Sequence, residues 1–287
     1  MRDLFRPAEQ LTLLFLVFLG VLSLFSGPAA GGLLVLYGAL LLLVLCSTLY
    51  RKIRPDGAPA FYFSTAATVV TILFVFNSLG ELIASLRTQR FDDVLIAIDH
   101  SLFGVHPTVW MERFITPART AFLQIVYISY YFMPIALAVS LIAHARHAEF
   151  EEAWFGIVLC FYLSYLGYLL VPAVGPRFTL EKLQTTNLQT GAFIAALQDT
   201  LNRLEKNKTD AFPSGHTAIA VVSLYYAAKT KERTLFLVLL PLVLALIVST
   251  IYLRYHYVVD VLAGILLAGM TILLAPVLER RLSGAAG

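Results

Sequence analysis

Residues 234–253 read TLFLVLLPLVLALIVSTIYL, twenty positions without a charge, closed by Arg254. As a helix rising 1.5 Å per residue such a run is about 30 Å long, the thickness of a bilayer's hydrocarbon core. Working outward, similar apolar runs lie near 9–26, 31–50, 61–86, 121–143, 153–171, 214–229 and 256–277. Only helices and closed barrels satisfy the backbone in lipid, and barrels need alternating segments of about ten residues. These runs are uniformly apolar, so the expected fold is all-α: a polytopic transmembrane helix bundle of about eight helices. The expected organisation is an N-terminal transmembrane hairpin over 1–60 and a six-helix core over 61–287.

Composition agrees. With 59% hydrophobic and 14% charged residues in 287, the chain lies outside the range of soluble domains. The net charge of +3 is dispersed, and the absence of a basic stripe excludes a nucleic-acid partner. Cys46 and Cys160 fall inside apolar runs and read as packing residues, with no disulfide framework or metal cluster. The first run follows Arg2 and Arg6 like a signal peptide, but another apolar run succeeds it at once, which favours a retained span. No internal repeat is visible.

Alternating the helices puts the connectors 87–120, 172–213 and 253–256 on one side. The other side carries Arg2, Arg6, Arg51, Lys52, Arg54, Arg146, Lys229, Lys231, Arg233, Arg280 and Arg281 in short segments. The positive-inside tendency makes that side cytoplasmic and the long connectors periplasmic, luminal or extracellular. Two connectors hold apolar residues at helical spacing, Phe91, Val94, Leu95, Ile98 and Leu102 in one and Ile194, Leu197, Leu201 and Leu204 in the other. Each reads as an amphipathic helix that either lies in the headgroup layer or caps the bundle.

The polar residues that break this pattern cluster on the connector side. Pro213-Ser214-Gly215-His216 opens an apolar run, so Ser214 is placed as an N-cap at a helix start suited to an anion. From Ser214 to Lys229 is 16 residues, about 24 Å, too short for a full crossing, so this helix start sinks below the bilayer surface. His256 and Asp260 are four apart at the start of the last run and share a helix face. An ionised Asp there costs on the order of 2.5–3.5 kcal/mol on insertion scales without a partner. A carboxylate holding one imidazole nitrogen leaves the other free as a nucleophile, although a structural His–Asp pair tying two helices is the bland alternative. Arg177, after Gly175-Pro176, and Arg254 are phosphate-matching guanidinium groups or, singly, interfacial snorkels.

The three segments, Gly175-Pro176-Arg177, Pro213-Ser214-Gly215-His216 and Arg254-Tyr255-His256 with Asp260, together resemble the signature of the type 2 phosphatidic acid phosphatase superfamily over roughly residues 61–277. The resemblance implies a phosphatase-type six-helix core and a two-step reaction without cofactor or metal. In it His256 is the nucleophile, Asp260 its orienter and His216 the acid that protonates the departing alcohol. Arg177, Ser214, the Gly215 backbone and Arg254 are the implied phosphate-binding groups. Two positions depart from the family pattern: Leu170 and Thr250 stand where it has a lysine and an arginine. Arg254 replaces the arginine only if the helix breaks near Tyr255. Gly-Pro-Arg with Arg-Tyr-His-Tyr resembles the inositol phosphorylceramide synthase branch.

Glu81, near the end of the third run, and Tyr168, with Tyr162 and Tyr165, are head-group candidates; the tyrosines also read as interfacial belt or core. His100 and His106 lack ligand spacing and take no role. Asn207-Lys208-Thr209 matches a glycosylation acceptor. The expected activity is phosphoryl transfer on a phospholipid or lipid phosphate in the bilayer, to a lipid hydroxyl (head-group phosphotransferase) or to water (lipid phosphate phosphatase). A transporter or lipid-binding protein is the alternative of another class, but the inverted repeats and interrupted helices usual there are not visible.

Overall fold

A computed structural model of the chain describes residues 5–54, 58–204 and 207–284; Arg2 lies outside them. The helices are α1 Pro7–Ser23, α2 Ala30–Ile53, α3 Ala58–Leu86, α4 Asp92–Phe103, α5 Pro107–Trp110, α6 Pro117–Ser129, α7 Met133–Ala143, α8 His147–Leu170, α9 Pro176–Thr179, α10 Ala192–Leu204, α11 Gly215–Lys229, α12 Arg233–Tyr252 and α13 Val258–Ser283. Each expected apolar run is a helix. Those of α6 and α7 form one span, Pro117–Ala143, interrupted by a 3-10 turn over Tyr130–Phe132 where Pro134 has no N–H to give the preceding turn.

Among the described residues six spans are long and apolar enough to cross a membrane by themselves: Gly27–Ile53, Ala58–Leu86, Pro117–Ala143, His147–Leu170, Arg233–Tyr252 and Val258–Ser283. The other two of the expected eight are shorter, α1 with 17 residues and α11 with 15. The protein is therefore a multi-pass helical membrane protein. Its outward faces are apolar too: Val35, Leu73, Leu266 and Leu273 are exposed, as helices solvated by lipid require.

Helix α11 runs through the middle of the bundle, packed against α8, α12 and α13, with Ala218, Ile219, Ala220 and Val222 all buried. Helix α1 joins the same interior. Phe15 stacks on Tyr162 of α8 at 4.3 Å, and the Tyr162 hydroxyl donates to Thr12 Oγ1 at 3.0 Å. At one end of the bundle ion pairs link the helix termini: Arg6 with Glu151, Arg51 with Glu9, and Lys229 with Glu152. Part of the positive charge expected on that side is thus matched by acids.

At the opposite end α11 and α13 start side by side. The Ser214 N–H donates to the Asp260 carbonyl at 2.9 Å. The approach depends on Gly264, where a Cβ would stand 2.5 Å from the Ser214 carbonyl oxygen. Gly264→Ala is therefore expected to push the two helix starts apart. Overpacking of this kind costs about 1–3 kcal/mol, readable as a lowered melting temperature of the detergent-purified protein.

Helix α4 packs on this end of the bundle by one face. Leu95 is buried in a small cluster with Ala173, Leu180, Ala211 and Tyr257, while Val94 and Leu102 are exposed. The side chains of Leu197, Leu201 and Leu204 on α10 lie outside the described residues. Helix α10 does contact the end of the bundle, where Gln198 Nε2 donates to the Tyr255 hydroxyl at 2.8 Å.

Candidate active site

The three sequence segments converge at the end of the bundle opposite the ion pairs. The first turns at Gly175, whose φ of 86° is available to glycine and strained for other residues. A Cβ there would also lie 2.5 Å from the Tyr255 carbonyl oxygen, so Gly175 lets the first segment lie on the third. The second segment starts α11, with Ser214 as the expected N-cap: its Oγ accepts from Thr217 N–H at 3.3 Å and donates to Thr217 Oγ1 at 3.0 Å. The third segment is a break between helices. α12 stops at Tyr252, Arg254 takes φ 65°, the Tyr255 and His256 N–H groups both donate to the Thr250 carbonyl, and α13 begins at Val258.

These turns bring His216 and His256 together, ring centroids 5.7 Å apart and planes tilted by 59°. Both line one cavity together with Arg177, Tyr127, Asn207, Lys208, Asp210, Ala211 and Tyr255. Tyr127 stacks between His216, at 4.7 Å, and Tyr255, at 4.4 Å, and the Arg177 guanidinium lies 5.7 Å from the Tyr255 ring. An aromatic wall thus runs from one imidazole to the arginine. His216 Nε2 is buried and has no hydrogen-bond partner among the described residues.

His256 is held differently from expectation. Its Nδ1 lies 2.8 Å from the Ala211 carbonyl oxygen, to which Nδ1–H donates, and 3.6 Å from Asp260 Oδ2. Asp260 Oδ2 instead accepts the Tyr257 N–H at 2.8 Å. His256 precedes the first turn of α13, so the helical i,i+4 geometry does not apply to it. A carbonyl can only accept, so in the neutral ring the hydrogen sits on Nδ1 and Nε2 is the nitrogen with a lone pair to offer.

Four other candidates stand away from the cavity. The Ser214 side chain is fully buried in its capping role. Tyr168 packs behind the second segment, where a Cβ on Gly215 would be 2.2 Å from its hydroxyl. Glu81 is on the exposed face of α3. Arg254 is the plainest correction: the anticipated helix break occurs, yet its guanidinium is tied to Glu112 at 2.7 Å, to Gln184 at 3.1 Å and to the Thr186 carbonyl at 2.6 Å. Burial pulls its pKa down, with Glu112 opposing the shift. Arg254 locks connectors together and leaves Arg177 and Lys208 as the cations lining the cavity. The glycosylation reading of Asn207 is also corrected, because the side chain is 2% exposed and closed to a glycan.

Sequence reasoning missed Tyr127, Asn207, Lys208 and Asp210 on the cavity wall, and two aspartates behind it. Asp92 accepts from the Val174 and Gly175 N–H groups at 3.1 and 3.0 Å and from the Tyr257 hydroxyl at 3.0 Å. Asp99 accepts the Val258 and Val259 N–H groups at 2.8 and 2.9 Å, capping α13. Burial raises the Asp99 pKa, and those two bonds oppose the shift. Both lie on the buried side of α4, seven residues apart, and that spacing was the available signal. Among the described residues no cluster of three or more His, Cys, Asp or Glu side chains is set for a metal ion.

Residues 93–274 match the PAP2 superfamily, and the chain belongs to that family. It is similar to a phosphoinositol dihydroceramide synthase of Bacteroides thetaiotaomicron, 24% identical with 77% of this chain and 79% of that protein covered. A PA-phosphatase related-family protein of Dictyostelium discoideum is 25% identical over 88% of this chain, which spans about half of that relative's length (53%). No solved structure matches significantly.

Proposed function

We propose that the protein is a lipid head-group phosphotransferase working through a phosphohistidine on His256. The observation that carries the reading is the pair of imidazoles, His256 buried and His216 half-buried, on one cavity beside Arg177. His256 Nε2 attacks phosphorus of the donor lipid and forms the P–N bond as the P–O bond to the departing alcohol breaks. His216 Nε2–H delivers the proton that alcohol needs. In the second step His216 takes the proton of an incoming hydroxyl, whose oxygen attacks phosphorus and releases His256. Arg177 neutralises the equatorial oxygens throughout, the dominant requirement of phosphoryl transfer.

A lipid alcohol as acceptor is favoured by similarity to the Bacteroides synthase, which aligns over most of both chains. It also fits the start of α11, since this 15-residue helix is about 22 Å long and sets His216 below the level of full-length spans. Hydrolysis by water is the second reading, favoured by the name of the Dictyostelium relative. The side of the membrane follows the charge argument: the site faces the periplasm, lumen or exterior.

Incubating the purified protein with a donor glycerophospholipid labelled at phosphorus, then quenching, is expected to leave acid-labile, base-stable label on His256. Adding ceramide should move the label into new lipid, and EDTA should change neither step. Label released only into water, as phosphate or as the phosphorylated head group, would select the hydrolytic reading. Loss of labelling in EDTA would overturn the metal-independent mechanism.

A further inference from the structure

The stretch Asn207 to Asp210 lines the cavity but has no part in the chemistry above. Asn207 Oδ1 accepts from the Thr209 N–H at 3.0 Å and from Thr209 Oγ1 at 2.9 Å. These two bonds fix which way the amide points, because turning it over would set NH2 against a backbone N–H. Its Nδ2 is consequently aimed away from them, buried and without a hydrogen-bond partner among the described residues. Gly80 of α3 backs the side chain so closely that a Cβ there would lie 3.2 Å from Asn207 Oδ1. Asparagine thus has little room to withdraw into the bundle. Buried amide donors are nearly always matched by an acceptor, and Asn207 lines the cavity.

The charges along the cavity point to what that acceptor is. Arg177 and Lys208 line it, and Asp210 keeps the wall from being uniformly basic, so placed donors must do the selecting. Arg254 is committed to Glu112, and Leu170 and Thr250 carry no charge. We propose that Asn207 Nδ2 and Lys208 Nζ form, with Arg177, the oxygen cradle for the transferred phosphoryl group, taking the place of cations absent from the first and third segments. The inference rests on the phosphoryl-transfer reading and names its missing anion ligands. A tetrahedral phosphoryl group offers several acceptor oxygens, and an amide between two cations donates to one without adding charge.

The test uses the full chain in detergent with two probes, inorganic phosphate as a bound anion and phosphatidic acid in mixed micelles as a lipid phosphate. Asn207→Asp keeps the oxygen that Thr209 needs but replaces the donor with a negative acceptor. It is expected to weaken inorganic phosphate about tenfold or more and to lower kcat/KM for the lipid by at least as much. Lys208→Met, at an exposed side chain, should weaken both about five- to tenfold and flatten the dependence of phosphate binding on salt. If Asn207→Asp does not fold, as read by its melting transition, Lys208→Met decides. Phosphate affinity within twofold of the parent in the folded variants overturns the cradle, as does an effect confined to the lipid probe, which would place these residues on the lipid's remaining atoms. If instead the parent binds no phosphate and Arg177→Ala changes nothing, the phosphoryl-transfer reading itself fails.

Discussion

His256→Ala is expected to reduce turnover by roughly 10⁴-fold or more and to abolish labelling of the protein, because no covalent intermediate forms without the attacking nitrogen. The fold should survive: the ring bonds to the Ala211 carbonyl, and the adjoining turn is held independently by the Thr250 carbonyl and by Asp99. His216→Ala makes the contrast. Its loss removes proton delivery to the leaving alcohol, worth about 10²–10⁴-fold, and the defect should shrink with an ester whose leaving group needs no proton, such as a nitrophenyl phosphate. His256→Ala should be equally inactive on both substrates. Comparable defects for both variants on both substrates would contradict the division of roles.

Much of this was legible in the sequence because lipid imposes one rule on every residue it solvates. A run such as 234–253 has no stable alternative to a helix, and all eight runs became helices. The positions of His216 and His256 were legible for the same reason, since a polar residue at the edge of an apolar run must sit at a helix end. What the sequence concealed was the partnering across long separations. Arg254 and Glu112 are 142 residues apart, and nothing local distinguishes an arginine bound to a carboxylate from one awaiting phosphate. The Asn207 tripeptide matched a surface pattern, and only packing against Gly80 turned it inward. The His256–Asp260 spacing implied a hydrogen bond that helical geometry would have delivered, but His256 lies ahead of the helix.

The second large effect is expected at Asp92. Its carboxylate is the common acceptor for the Val174 and Gly175 N–H groups of the segment carrying Arg177 and for the Tyr257 hydroxyl beside His256. One side chain on α4 therefore sets the arginine's spacing from the histidine, while Asp99, two turns further along the same helix, holds the start of α13. Asp92→Ala leaves the buried Gly175 N–H without an acceptor, at about 1–3 kcal/mol, and the half-buried Val174 N–H as well. It also frees the Arg177 loop to shift, and a displacement near 1 Å at a reacting centre costs about 100-fold in rate. The variant should melt lower and lose kcat more than it raises KM, since ground-state binding tolerates a loose cradle better than in-line attack does. Asp92→Asn, which keeps one acceptor oxygen, should recover part of both. Asp99→Ala acts on the helix start alone and should cost about 1–2 kcal/mol as a lost cap, with a smaller rate defect. Equal kcat for Asp92→Ala and the parent would mean that α4 only covers the bundle, and that Arg177 and His256 keep their spacing by the contact of Gly175 with Tyr255 alone.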